Sequence, residues 1–203
     1  MRLGTRSTAV KVLASVVLVG GAASVAGLGT FGAFTSTTAA TEQVSTGKVV
    51  LTSAAGVQGL SVAATNMVPG DTAERSITLT RSSDTEAFGS VKLTTAGTTG
   101  NLLTSDATNG LQLKVDQCSV AWTKAADSSL TCSGTTTNVL TPRAVIGTNV
   151  DLAAATTTLN GATAASNLRV SVSLPASADN AFQGLSNTIN FTFDATQRAA
   201  KNV

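Results

Sequence analysis

The chain has 203 residues, enough for one domain with a sizeable core, and 42% of them are hydrophobic. Aromatic residues make up only 3% and charged residues 12%, well below the roughly 25% charged residues usual in soluble domains. This composition is a poor match for a cytosolic enzyme or a disordered tail. Because Thr and Val favour a pleated, half-buried backbone, it predicts strands around a core of small and branched aliphatic side chains.

The formal net charge of +2 depends on the first eleven residues, which hold Arg2, Arg6 and Lys11. All acidic residues lie at Glu42 or later, so a chain without its N-terminus has a net charge near −1. No basic stripe then remains to bind nucleic acid through counterion release. We therefore expect no nucleic-acid partner.

Residues 1–32 have the pattern of a signal peptide, with a basic start, an apolar run at 12–19 and small residues after it. The alternative is an uncleaved membrane anchor over about Ala9 to Leu28, since about 20 apolar residues can span a bilayer. Glycines in the second half of that stretch weaken a helix. We expect cleavage, secretion to the extracellular matrix or cell surface, and contact with the membrane only before cleavage.

Two cysteines, Cys118 and Cys132, are the only thiols, and the chain has no His to complete a structural zinc site. A disulfide is the default in an exported chain. Residues 111–115 alternate, 119–122 continue that strand, and 127–129 form a turn cluster, which predicts a hairpin between the cysteines. Closing a loop of about 15 residues stabilises a fold by about 3 kcal/mol. A redox pair is the alternative, but the C-x-x-C spacing is missing.

Alternation of apolar and polar residues recurs along the chain and predicts many short strands. The alternating runs occupy residues 48–52, 60–64, 76–80, 90–94, 167–174 and 188–194. In the last run, Ile189, Phe191 and Phe193 share one face. Short alternating strands separated by turn signals indicate an all-β fold, an antiparallel sandwich or barrel.

Three segments between these runs carry other signals. Pro69-Gly70-Asp71 predicts a turn, because Pro fixes φ and Gly accepts a positive φ. Residues 179–184 predict one helical turn that Gly184 ends, and Pro175 ends the run before it. Residues 153–165 are rich in Ala, Thr and Gly and leave a short helix and a long loop both open.

A search for catalytic groups finds none. Without His, a serine nucleophile has no imidazole base and a zinc hydrolase lacks its usual ligand. The nearest acidic pair, Asp84 and Glu86, lies in a polar turn, where solvated charges are expected. Asp71 alone falls far short of the six to eight oxygens that calcium takes. We expect no catalytic residue, no metal and no cofactor.

Three separated stretches carry a resemblance to a known family. They are the small-residue run at 27–34, the strand and turn at 46–51 and 67–71, and the closing segment with Gln183, Gly184 and the last strand to Gln197. In this order and spacing they resemble the TasA/camelysin family of bacterial biofilm-matrix fibre proteins.

The resemblance implies a jelly-roll-like β-sandwich whose subunits polymerise, and a dedicated signal peptidase that cuts between Gly32 and Ala33. It implies that residues 33–47, which begin at Ala33 and have Phe34 and Val44 as candidate anchors, form an arm that pairs with an open sheet edge of the next copy. The sandwich would then span 48–198 and the C-terminal tail 199–203. The expected partners are other copies of the chain, the peptidase and an accessory matrix protein.

Two further functions stay open at this point. The first is a monomeric, adhesin-like binding module in which Trp122 stacks on a sugar, although one Trp in a hairpin is more often a packing residue. The second is a camelysin-type secreted peptidase, which the missing metal ligands disfavour. We expect no enzymatic activity.

Overall fold

The computed structural model describes residues 35–39, 51–56 and 61–199. These residues belong to one unit, Phe34–Val203. The predicted signal peptide, its cleavage position Gly32–Ala33, and the arm residues Phe34 and Val44 lie outside the described residues. Within the described ranges, no helix has both the length and the apolar character needed to cross a membrane.

Strands dominate the described residues, and every strand pairing is antiparallel. The strands are β1 Thr35–Ala39, β2 Leu51–Ala55, β3 Ser61–Thr65, β4 Thr72–Arg81, β5 Phe88–Gly97, β6 Gln112–Cys118, β7 Thr123–Lys124, β8 Leu130–Thr131, β9 Thr136–Ala144, β10 Gly147–Asp151, β11 Ala165–Ser173 and β12 Ser186–Gln197. The helices are α1 Leu102–Ser105, α2 Ala153–Leu159 and a 3-10 turn, Asn180–Phe182. The predicted antiparallel all-β class is confirmed.

The strands form two five-stranded sheets and one small hairpin. The first sheet has the order β1-β12-β5-β10, with β3 also paired to β12, and the second has the order β2-β4-β11-β6-β9. Strands β7 and β8 pair only with each other among the described strands. Consequently β1 and β3 lie end to end along the same edge of β12, where they pair with residues 192–196 and 186–190 respectively.

The core lies between the two sheets and follows from the alternation of the strands. Ile189, Phe191 and Phe193 of β12 are buried and belong to one cluster with Leu168 and Val170 of β11 in the other sheet. The intervening residues of β12 are partly buried or exposed. Burying large aromatic and branched side chains from both sheets supplies the main favourable free energy of folding.

The structure differs from the sequence predictions in three places. Strand β6 ends at Cys118, so the prediction that residues 119–122 continue the strand is wrong; Trp122 instead folds back onto the sheet. Residues 153–165, which left two possibilities open, contain helix α2, and its Ala155 and Leu159 are buried. Neither β9 nor β10 alternates clearly between apolar and polar residues, so the sequence does not predict either strand. Strand β9 also contains Pro142, and its register with β6 shifts.

Candidate functional site

The first feature is the edge of β12 that receives the predicted arm. The described part of the arm, β1, is extended and pairs with β12 of its own chain, from Thr35 opposite Thr196 to Ala39 opposite Thr192. We call the β12 edge at residues 192–196 the arm slot. The slot ends where β3 begins, because Ser61 pairs with Asn190.

The opposite side of the sandwich offers less regular edges. Strand β9 contains Pro142, which has no N–H to donate to an added strand, and its register with β6 shifts twice. Strand β10 shifts register against β5, and its Asn149 has a φ of 53°. Prolines and bulges of this kind discourage pairing at an edge. The arm slot has no register shift along its five pairs with β1.

The second feature is a cleft where the two family-like turns meet at one end of the sandwich, here called the cleft end. The cleft measures about 470 Å³. It is lined by Asn66, Met67, Val68, Pro69, Leu174, Asp179, Asn180, Phe182, Gln183 and Gly184. The Pro69 turn and the Gly184 turn, which lie far apart in sequence, therefore form opposite walls of one site.

Backbone geometry fixes the turns that form both walls of the cleft. Gly70 has a φ of 100° and donates its N–H to Leu174 O at 2.8 Å, while Gly184 has a φ of 72°. Such angles favour glycine, which explains its presence in each turn. A side-chain oxygen of Asp71 accepts the Val68 N–H at 2.9 Å. Asp71 is thus occupied in fixing the turn.

One exposed apolar residue lies on the rim of the cleft, beside exposed polar residues such as Asn66 and Gln183. Val68 is 59% exposed, more than any other large hydrophobic residue of the described part of the chain. Beneath it, Leu174 and Phe182 are buried. On the far wall, Asp179 accepts the Ala181 N–H at 2.9 Å and so caps the 3-10 turn. A concave site with a few convergent polar groups is a place where a ligand or a partner can bind.

The third feature is the hairpin between the cysteines. Cys118 and Cys132 form the predicted disulfide, with their Cα atoms 5.8 Å apart. Trp122 is only 6% exposed and donates its indole N–H to Asn167 O at 3.0 Å. The Arg169 guanidinium lies 4.5 Å from the centre of its ring. The indole is therefore packed against β11 and has no open face for a sugar.

A charged cluster fastens this hairpin to the second sheet. Arg169 pairs with Asp116 at 2.8 Å and with Glu74 at 3.2 Å. Glu74 also accepts the Leu130 N–H at 2.6 Å, and Arg169 donates to Leu130 O at 3.1 Å. Sequence reasoning missed this cluster because its charges come from three separate strands. The available signal was Arg169, the single charged residue of β11, whose other residues are apolar or uncharged polar.

Asp116 titrates below its ordinary range. Burial acts to raise the pKa of Asp116, but hydrogen bonds from Lys114, Arg169 and Asn138 outweigh it, so the pKa is lowered. The carboxylate is therefore favoured in the folded state. Its contribution to stability is present above the unfolded pKa of about 3.9 and is lost as the pH falls through the lower folded pKa.

Replacing Asp116 by Asn should reduce the free energy of unfolding at pH 7 by about 2–3 kcal/mol, because Arg169 loses a buried anionic partner. The loss should shrink at pH 3 and below, where the wild-type carboxylate begins to take up a proton. Urea unfolding at both pH values measures this, with Asp127→Asn on the exposed turn as the control. An equal loss at both pH values would contradict this assignment.

Thiol and carboxylate side chains are the residues of this chain that could ligate a metal. There is no His in the sequence, and the two cysteines are joined to each other. Within residues 35–39, 51–56 and 61–199, no group of three or more His, Cys, Asp or Glu comes together. The buried carboxylate of Asp116 is bonded to Lys114 and Arg169, and Glu86 pairs with Arg198 at 2.9 Å. Cations of the protein already neutralise these carboxylates.

Comparison with known proteins finds a matching family model. A family model described as camelysin metallo-endopeptidase matches residues 7–202. Neither a curated protein nor a solved structure matches the chain. Because the match covers nearly the whole sequence, the chain belongs to the camelysin family, the family that its turns and last strand resemble.

Proposed function

We propose that this protein is a secreted structural subunit of extracellular matrix or surface fibres that assembles by exchange of its N-terminal arm between copies. Membership of the camelysin family supports the secreted location. The observation that carries the assembly mechanism is the pairing of β1 with the arm slot. It supports the proposal because β1 is extended and pairs without a register shift along an edge that a strand from another copy could use in the same way.

Exchange between copies would preserve the hydrogen bonds of the arm slot. An arm from a neighbour can pair with residues 192–196 in the register that β1 uses within its own chain. The enthalpy of strand pairing then changes little. The equilibrium between self-paired monomers and exchanged copies depends on the protein concentration and on contacts between the two neighbouring sandwiches. Because each copy gives one arm and accepts one, the contact is head-to-tail and does not have to close. A filament follows.

Export would control when the arm is free. In this proposal the dedicated signal peptidase cuts between Gly32 and Ala33, and until then the membrane-bound leader restrains the arm. After the cut, residues 33–47 are tethered only to their own sandwich. An accessory matrix protein could start assembly by offering the first arm or the first edge.

We also propose that the sandwich is a jelly roll. Apart from β1, β2 and the β7–β8 hairpin, eight strands remain, and they form the sheets β3-β12-β5-β10 and β4-β11-β6-β9. Successive strands alternate between the two sheets except at β6 and β9. An eight-stranded double sheet built from two Greek keys has this order.

The description of the family implies a metal and a peptidase, and the residues of this chain do not fit them. A zinc peptidase site uses three protein ligands, commonly including His, and a water. This chain has no His, and its buried carboxylates are neutralised by Arg169 and Lys114. We therefore derive no catalytic step and propose a non-enzymatic role.

Electron microscopy of the protein purified from culture medium tests the assembly. We expect long, unbranched filaments that become more abundant as the protein concentration rises. Particles that stay monomeric at high concentration would overturn the proposal and favour a binding module. A casein-cleavage assay with and without a chelator tests the peptidase alternative, and chelator-sensitive cleavage would contradict a non-enzymatic role.

A further inference from the structure

The structure also indicates where the bodies of two neighbours meet. We propose that the cleft at the cleft end binds residues 48–50 of a second copy, Lys48-Val49-Val50, within the filament. This inference rests on the proposed arm exchange and names the contact that would accompany it. Four observations on direction, reach and chemistry support it.

The direction of the arm is the first observation. Within the slot, β1 runs from Thr35, opposite Thr196, to Ala39, opposite Thr192. Strand β12 begins at Ser186, directly after the cleft residues Gln183 and Gly184. An arm in the slot therefore points toward the cleft. A chain that continues in this direction runs beside β3 and arrives at the cleft end.

The length of the linker is the second observation. Residues 40–50 connect the arm to β2 and span at most about 40 Å when extended. From the level of Thr192 to the start of β12 at Ser186 the distance is about 20 Å, at about 3.3 Å per residue. The first half of the linker is long enough for most of this distance. Its last residues can lie over the cleft.

The same geometry excludes the chain's own linker and is the third observation. Val50 directly precedes Leu51, which pairs with Arg81 at the far end of β4. The cleft adjoins the other end of β4, at Thr72, about 30 Å away at about 3.3 Å per residue. With Leu51 paired there, the chain's own residues 48–50 cannot reach the cleft, because three residues span at most about 11 Å. Residues 48–50 in the cleft must therefore come from a second copy.

The chemistry of the two surfaces is the fourth observation. The cleft exposes the apolar side chain of Val68 and, on one wall, the carboxylate of Asp179, above the buried side chains of Leu174 and Phe182. Within the described part of the chain, Asp179 forms no ion pair with Lys or Arg. The segment 48–50 supplies one cation followed by two branched aliphatic residues, which complements an exposed valine beside an acidic side chain.

Cross-linking between variants that each carry one cysteine added to the native Cys118–Cys132 pair tests the contact. Full-length Val68→Cys and Val49→Cys are expressed separately, secreted, mixed, and oxidised after assembly. We expect a disulfide-linked dimer in the mixture, at least tenfold more abundant than in either variant alone. A mixture of Val120→Cys with Val49→Cys serves as the control, since Val120 is also exposed but lies on the hairpin. A dimer yield equal to that control would overturn the assignment of the cleft.

A second variant separates failure of the cleft from failure of the arm exchange. Val68→Asp, at a position that is 59% exposed, should leave the monomer folded and reduce filament yield at least tenfold, whereas Val120→Asp should not. If wild-type protein forms no filaments, the arm exchange itself is wrong. If wild-type and Val68→Asp filaments form equally well, only the cleft contact is wrong.

Discussion

Deleting residues 33–45 is expected to abolish filaments while leaving a folded monomer. The deletion removes β1, the described segment that occupies the arm slot, but it leaves the core of the two sheets intact. A neighbour's slot then has no strand to accept. Negative-stain microscopy measures the filaments, and far-ultraviolet circular dichroism measures the fold. Filaments of normal length from the truncated chain would exclude arm exchange.

A point substitution tests the same idea without shortening the chain. Thr37→Pro removes one N–H in the middle of β1 and disfavours a paired strand, at a cost of about 1–3 kcal/mol. In the monomer the arm can unpair and escape this cost, whereas each contact in a filament must bear it, so we expect the concentration needed for assembly to rise by about five- to 150-fold. Thr41→Pro, two residues beyond β1, is the matched control. Equal effects of the two prolines would show that pairing of β1 is not required.

Removing the disulfide is expected to reduce the free energy of unfolding by about 3 kcal/mol, the value for a loop of about 15 residues in the chain-entropy model. The double variant Cys118→Ser, Cys132→Ser also frees the hairpin that carries Trp122 and Leu130. These residues form a small cluster of their own with the cysteines. The hairpin should therefore loosen before the two sheets separate.

The fluorescence of the single Trp of the chain reports directly on whether the hairpin loosens. Trp122 is buried against Arg169, so its emission should shift to longer wavelength in the serine variant under native conditions. Urea unfolding followed by circular dichroism gives the loss of stability for the whole domain. Unchanged emission together with an unchanged unfolding midpoint would show that the disulfide does not hold the hairpin.

The strands with unbroken alternation were predictable from sequence. The run 167–174 lies within β11 apart from its last residue, and the run 188–194 lies inside β12, because both strands have one face against the core. Strand β9 could not be predicted in this way, because it contains Pro142 and lacks a clear alternation; its register with β6 also shifts. Helix α2 was left open because Ala and Thr are compatible with several local structures, and only the burial of Leu159 decides between them.

The candidate site was only partly predictable. The sequence identified the turns at Pro69 and Gly184, since the demand for a positive φ can be recognised locally. That they form one cleft depends on the strand order, which local patterns do not determine. The Arg169 cluster was invisible for the same reason: its carboxylates, Glu74 and Asp116, come from the strands on either side of β11.

The pairing of β1 in its own chain bears directly on assembly. An arm that already satisfies its own slot delays exchange, because the pairing must open before a neighbour's arm can enter. Contacts between neighbouring copies, such as the one proposed at the exposed Val68, would favour exchange over self-pairing. We therefore expect assembly to be slow at first and then to accelerate on existing filament ends.

The most direct test of arm exchange uses two variants, each with one added cysteine, at paired positions of β1 and the arm slot. Ala39 lies opposite Thr192, close enough for a disulfide once both are Cys. Filaments grown from a mixture of Ala39→Cys and Thr192→Cys should yield a disulfide between two copies, identified by mass spectrometry. The contrary result is no disulfide between copies in the mixture, while the double variant forms the same bond within each chain. It would mean that β1 pairs only with its own chain and that arm exchange is wrong.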